Sequence, residues 1–204
     1  MFSPDGGSLL APVGNRVSRY ELAGRSDGSS LTSSWETIAG QIQVLCISPD
    51  GRLQFAVDEG GKAVLAATHG SQILLGRLNL HGKVSRAAFS PDSSRLAICI
   101  GRLVQVWRVP LAGARRRWLT FELDKTMSAA GSSDEISALA WSPCGKFIAT
   151  GSPDMTVRIL RLDGAPKGSK PMEATGHRHT IVGVHWVRSD RVLSVSREGV
   201  LKTW

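Results

Sequence analysis

No hydrophobic run in these 204 residues approaches the length of a membrane-spanning helix, and the most apolar stretch, residues 96–100, is five residues long. The opening Met1-Phe2-Ser3-Pro4-Asp5 lacks the charged segment and apolar core of a secretory signal. Cysteine is scarce: Cys46, Cys99 and Cys144 are odd in number and widely spaced. That pattern argues against a disulfide framework or a zinc site and for a reducing compartment. Each cysteine sits in or beside an apolar run and is expected to be a small buried hydrophobe. Nucleotide-binding signatures are missing as well. Cys144-Gly145-Lys146-Phe147 has a Gly-Lys pair but neither the following Ser or Thr nor the glycine five residues earlier that a phosphate loop needs. No Gly-x-Gly-x-x-Gly occurs. His177-Arg178-His179, with His185 nearby, has no acidic or cysteine cluster beside it, so the histidines read as ordinary loop residues rather than a metal site. The expectation is a chain with no cofactor, no metal and no catalytic residue.

What is present suits a globular protein: 42% of residues are hydrophobic, enough for a core. Lysine and arginine number 25 against 17 acids, a net charge of +8. A surplus of that size favours polyanionic partners such as RNA, or acidic protein surfaces.

The organising stretch is residues 136–162. It holds three short apolar runs, 136–141, 147–150 and 156–162, separated by Ser142-Pro143-Cys144-Gly145 and Gly151-Ser152-Pro153-Asp154. Proline presets φ at the second position of a tight turn, so the runs read as strands of an antiparallel meander. The pattern recurs. The residue ending the first strand is Phe2, Ile47, Phe89, Trp141 and Trp186 in successive units, at spacings of 45, 42, 52 and 45. Counting six residues on from the second turn gives Tyr20, Leu65, Trp107, Leu160 and Trp204, the end of each third strand. A period near 40–45 with this punctuation is that of WD-repeat β-propeller blades.

The predicted fold is therefore all-β, a WD40-type β-propeller of about five blades. The units run over roughly 1–40, 41–80, 81–131, 132–175 and 176–204. Outer fourth strands are expected at 32–38, 72–80, 118–123 and 171–174, with polar connectors at 24–30, 127–135 and 163–170. The chain starts at the end of a first strand and stops at the end of a third, so the propeller is expected to be incomplete, truncated at both ends.

Two groups of residues stand out. Gly176-His177 precedes the last blade, and Ser194 or Ser196, Glu198 and Trp204 follow. In WD repeats a His, a Ser or Thr, an Asp and a Trp form a buried hydrogen-bond chain, and here Glu198 replaces the Asp. The expected chain is His177, Ser196, Glu198 and Trp204, with Ser194 the alternative hydroxyl, and its role is structural. The second group, Arg115, Arg116, Arg117 and Trp118, is the densest basic site, a candidate contact for RNA or a partner. Arg86, Arg95, Arg102 and Arg108 of the same blade would widen it.

Three less regular segments carry a resemblance. They are Ala11-Pro12-Val13-Gly14-Asn15-Arg16-Val17, the stretch 45–65 with its Val57-Asp58-Glu59-Gly60-Gly61 turn, and Phe121-Glu122-Leu123-Asp124-Lys125-Thr126. In this order the chain resembles the N-terminal propeller of the periodic tryptophan protein 2 family. That resemblance implies a subunit of the B subcomplex of the small-subunit processome, in the nucleus and nucleolus. Its partners would be the other subunits and the 5′ external transcribed spacer of pre-ribosomal RNA, with no membrane and no small-molecule substrate. A WD adaptor of another pathway, such as a ubiquitin-ligase substrate receptor or a trafficking coat subunit, is the alternative.

Overall fold

Apolar runs bounded by Ser-Pro turns become antiparallel meanders in which each strand pairs with the next. The structure, a computed structural model, describes residues 1–22, 29–36, 38–68, 74–109, 121–129, 135–164 and 170–204. Five sheets are formed, and no helix occurs among the described residues. The first holds β1 (Ser8–Val13), β2 (Arg16–Leu22) and β3 (Ser29–Glu36), with Phe2 bridging Leu9. The second holds β4 (Ile42–Ile47), β5 (Leu53–Asp58), β6 (Lys62–Ala67) and β7 (Leu74–Asn79). The third comprises β8 (Val84–Phe89), β9 (Arg95–Ile100), β10 (Leu103–Arg108) and β11 (Glu122–Ser128). The fourth comprises β12 (Ala138–Trp141), β13 (Phe147–Gly151), β14 (Thr156–Arg161) and β15 (Met172–Thr175). The last has β16 (Ile181–Arg188), β17 (Arg191–Ser196) and β18 (Leu201–Thr203).

The chain divides into two compact units, one taking Met1–Val84 and the other Ser85–Arg108 with Glu122–Trp204. In the first, Leu10, Val17, Ile42, Ile47, Ala56 and Val64 form a buried cluster between its two sheets. In the second, Ala97, Val104, Val106, Ile136, Ile148 and Leu160 form one cluster, and Ala149, Val157, Ile181, Trp186 and Val192 another.

One expected outer strand is displaced. In the third blade the expectation was 118–123, but the strand runs from Glu122 to Ser128, and Trp118 lies outside the described residues. The reason is the length of its neighbour. Six-residue β10 needs a partner along all of it, and Leu123, Lys125, Thr126, Met127 and Ser128 supply one across a bulge at Val106/Trp107. Met127 packs on the core, so residues read as polar connector become strand. Cys144 is a second correction. Cys46 and Cys99 are buried, and burial pushes both thiols up, but Cys144 is exposed on a turn.

The turns between first and second strands share one construction in the first four blades; in the last, the exposed Ser189-Asp190 joins β16 to β17 directly. Ser48 Oγ donates to Asp50 Oδ1 at 2.5 Å and accepts the Leu53 amide at 2.9 Å, while the same carboxylate oxygen accepts the Arg52 amide at 3.1 Å. Ser90 repeats this with Asp92 at 2.5 Å and the Arg95 amide at 2.9 Å. Ser3 does so with Asp5 and the Ser8 amide. In the fourth blade Ser142 accepts the Phe147 amide at 3.0 Å but meets Cys144 Sγ at 3.3 Å instead of a carboxylate. Ser48, Ser90 and Ser142 are fully buried, so these hydroxyls are part of the core. The position after the Asp is left-handed: Gly6, Gly51 and Gly145 have φ of 70°, 72° and 67°, and Ser93 takes φ 60° in the remaining turn. Two substitutions complete the pattern. Ser93→Gly removes a side chain from a left-handed position and is expected to stabilise the chain by about 0.5–1 kcal/mol. Cys144→Asp supplies the missing acceptor and is expected to add about 0.5–1.5 kcal/mol. Urea unfolding of the two variants checks both signs.

Candidate functional site

The last blade brings together side chains from its entry loop, its middle strand and its final residue. Gly176, at φ 152°, leads the loop past the indole; a Cβ there would lie 3.2 Å from Trp204 Cη2 and 3.2 Å from Lys202 Nζ. His177 is thereby directed inward. Its Nε2 lies 2.6 Å from Ser194 Oγ on β17, and Trp204 Nε1 donates to the same oxygen at 2.8 Å. The imidazole and the indole meet edge to face at 6.1 Å between ring centroids. His177 and Ser194 are both buried. Burial, and then the charge of Lys202, lower the His177 pKa below its ordinary 6.5, so the ring is neutral at pH 7.

The hydroxyl in this chain is Ser194, and two expected members stand outside it. Ser196 Oγ is buried and has no hydrogen-bond partner among the described residues. Glu198 turns outward and pairs with His179 Nε2 at 2.6 Å, both side chains being at least half exposed. The physical reason lies in the β17–β18 turn, where Gly199 at φ 82° carries the preceding residue to the rim. The preceding blade shows what a shorter acid does at this place. Asp154 Oδ1 accepts the Thr156 amide at 3.1 Å, and Oδ2 receives Arg158 Nη1 at 2.6 Å. Arg158 also donates to Glu173 at 2.8 Å from Nε. Burial raises the Asp154 pKa, but the Ser152 hydroxyl and the Arg158 guanidinium outweigh it and hold the carboxyl below its usual value.

The basic group resolves differently. Arg115, Arg116, Arg117 and Trp118 lie outside the described residues. Of the arginines expected to extend that patch, Arg95 lies 5.4 Å above the Trp141 ring, donates to the Gly145 carbonyl at 2.9 Å and approaches Asp163 at 4.0 Å. Arg108 pairs with Asp124 at 3.3 Å. Both are thus engaged within their own unit. Arg86 is exposed and donates to the Ser85 carbonyl at 2.7 Å. Among the described residues, no three His, Cys, Asp or Glu side chains gather as metal ligands.

One recurring contact was not foreseen. Trp141 Nε1 donates to the Ala88 carbonyl at 2.9 Å, and Trp186 Nε1 to the Ala140 carbonyl at 3.2 Å. Each indole reaches the residue just before the corresponding anchor of the previous blade, so innermost strands are tied one repeat apart. The signal was in the register itself, since both tryptophans occupy the repeat's anchor position.

Comparison with known proteins follows this geometry. Residues 122–160 match the family described as WD domain, G-beta repeat. The chain is 33% identical over 205 residues to the periodic tryptophan protein 2 homolog of Schizosaccharomyces pombe, covering 100% of this chain and 23% of that protein. It is 31% identical to periodic tryptophan protein 2 of Saccharomyces cerevisiae, covering 100% and 21%. The chain thus spans about a fifth of the length of the curated relatives it matches. Among solved structures, Chaetomium thermophilum Sqt1 bound to the N-terminus of the ribosomal protein L10 superposes with a TM-score of 0.76 at 19% identity. The match covers 99% of this chain and 57% of that one, and it shows the fold alone: a WD40-type β-propeller.

The hydrogen-bond chain makes two predictions. Ser194→Ala strands the buried His177 and Trp204 groups and is expected to cost about 1–3 kcal/mol, whereas Ser196→Ala removes an unpartnered hydroxyl and is expected to cost nothing measurable. Chemical denaturation of the two variants separates them. Because the folded-state pKa of His177 lies below 6.5, its contribution to stability is complete above that pH and is lost as the pH falls toward the folded-state value. His177→Gln is expected to flatten that part of the stability–pH profile.

Proposed function

We propose, from its relationship along the whole chain to the periodic tryptophan protein 2 proteins, that this chain serves as a non-catalytic WD-repeat scaffold in ribosome biogenesis. The finer reading is a place in the small-subunit processome, in the nucleolus, beside the other B-subcomplex subunits and the 5′ external transcribed spacer of pre-ribosomal RNA. The observation that carries it is homology along the whole chain: relatives from fungi, a plant and the mouse align over 96–100% of it at 30–34% identity. Physical chemistry supports the mechanism. Sheets braced by buried serines and indole N–H groups hold many loops in place, so binding costs little ordering entropy. A net charge of +8 adds long-range attraction for RNA.

Residues 115–118 are proposed as an RNA contact. Changing Arg115, Arg116 and Arg117 together to Glu is expected to weaken filter binding to a structured spacer RNA. It should also make the dependence of log K on log salt shallower by about 2–3 units. An unchanged affinity and slope would remove that contact. For the broader reading, a tagged chain is expected to concentrate in nucleoli; exclusion from them would favour an adaptor of another pathway.

A further inference from the structure

The second blade carries a groove that none of the contacts above uses. It is an open groove of about 720 Å³ along the β6–β7 ladder, lined also by Ala63 and Leu78. Cross-strand pairing sets Lys62 opposite Asn79 and Val64 opposite Arg77, and the alternation of strand side chains puts these four on the same face. Ile38 and Ala39 form the facing wall. Val64 and Ile38 belong to the buried cluster of this unit, so the floor is preformed.

Among the described lining residues the charge is of one sign. Lys62 and Arg77 are exposed, and neither has an ion-pair partner among the described residues. Glu59, the acid nearest Lys62 in sequence, is exposed, and Asp58 is buried with Oδ1 accepting the amides of Gly60 and Lys62 at 2.9 Å; neither is among the described lining residues. The aliphatic stems of the two basic residues extend the apolar floor while their heads stand at its edge. None of the described lining residues is aromatic.

We infer that this groove docks an acidic peptide segment of a protein partner, one with an aliphatic anchor between carboxylates. The anchor rests on Val64, Ile38 and Ala39, and the flanking acids meet Lys62 and Arg77. This surface is separate from residues 115–118, and the inference holds whether or not the chain acts in ribosome biogenesis.

The test uses the full 204-residue chain and a fluorescein-labelled twelve-residue peptide with two leucines set among glutamates, read by fluorescence anisotropy. Saturable binding is expected. It should weaken about tenfold or more in the Lys62→Glu/Arg77→Glu variant, and to a similar degree in Ala39→Trp, which fills the groove from its exposed wall. A peptide with both leucines changed to serine should bind much less well. Equal affinity for the variants, equal binding of the serine peptide, or displacement by a single-stranded RNA at matched charge would each overturn the inference. The wild-type chain supplies a readout independent of any variant's folding: the peptide must slow amide exchange in β7 and at residues 38–40. Exchange unchanged at saturation would also contradict it.

Discussion

A buried serine hydroxyl that closes the turn between the first two strands of a blade is the contact on which the rest depends. It accepts an amide five residues on and donates to an acid two residues on, so one oxygen fixes both the turn and the start of the second strand. Register follows. A slip of one residue would move the apolar set of Leu53–Asp58 or Arg95–Ile100 to the opposite face. These middle strands are nearly continuous in burial, so exposure alone gives little signal of a wrong pairing. The turn therefore specifies what the strand alone leaves open.

With register set within each sheet, the sheets of a unit are related by a few directed contacts over apolar packing. In the second unit, Trp141 and Trp186 donate to main-chain carbonyls one repeat back, and Arg95 lies over Trp141 while holding the next turn through Gly145. Gly151 permits β13 to approach Ile181; a Cβ there would fall 2.9 Å from Ile181 Cβ. Residues that look like a basic surface in the sequence thus become internal braces. The His177–Ser194–Trp204 chain does the same for the last blade, tying its entry loop to its middle strand and its end.

Much of this was legible before any coordinates. The turns, the period and the anchor positions are local in sequence and follow from proline, glycine and serine chemistry, so the strands fall close to their expected places. What was not legible depended on tertiary partners. The outer strand of the third blade shifted to Glu122–Ser128 because the length of β10 and the core contact of Met127 decided it. Ser194 rather than Ser196 joined the chain because both face one side of β17, and only the fold shows which lies beneath His177. Glu198 occupies the position of an acid in the motif, but its longer side chain and the Gly199 turn send it to His179. The groove over β6–β7 has no sequence signature at all, since it arises from cross-strand pairing and the wall supplied by Ile38 and Ala39.

The central claim is that buried serine turns set the register of the second, third and fourth blades. Native-state hydrogen exchange at the amides of Leu53, Arg95 and Phe147, each bonded to a serine Oγ, tests it most directly. The account predicts that these amides exchange as slowly as the middle strands they begin, through the same cooperative opening. Exchange at the rate of a solvated loop, well ahead of the strands, would contradict it.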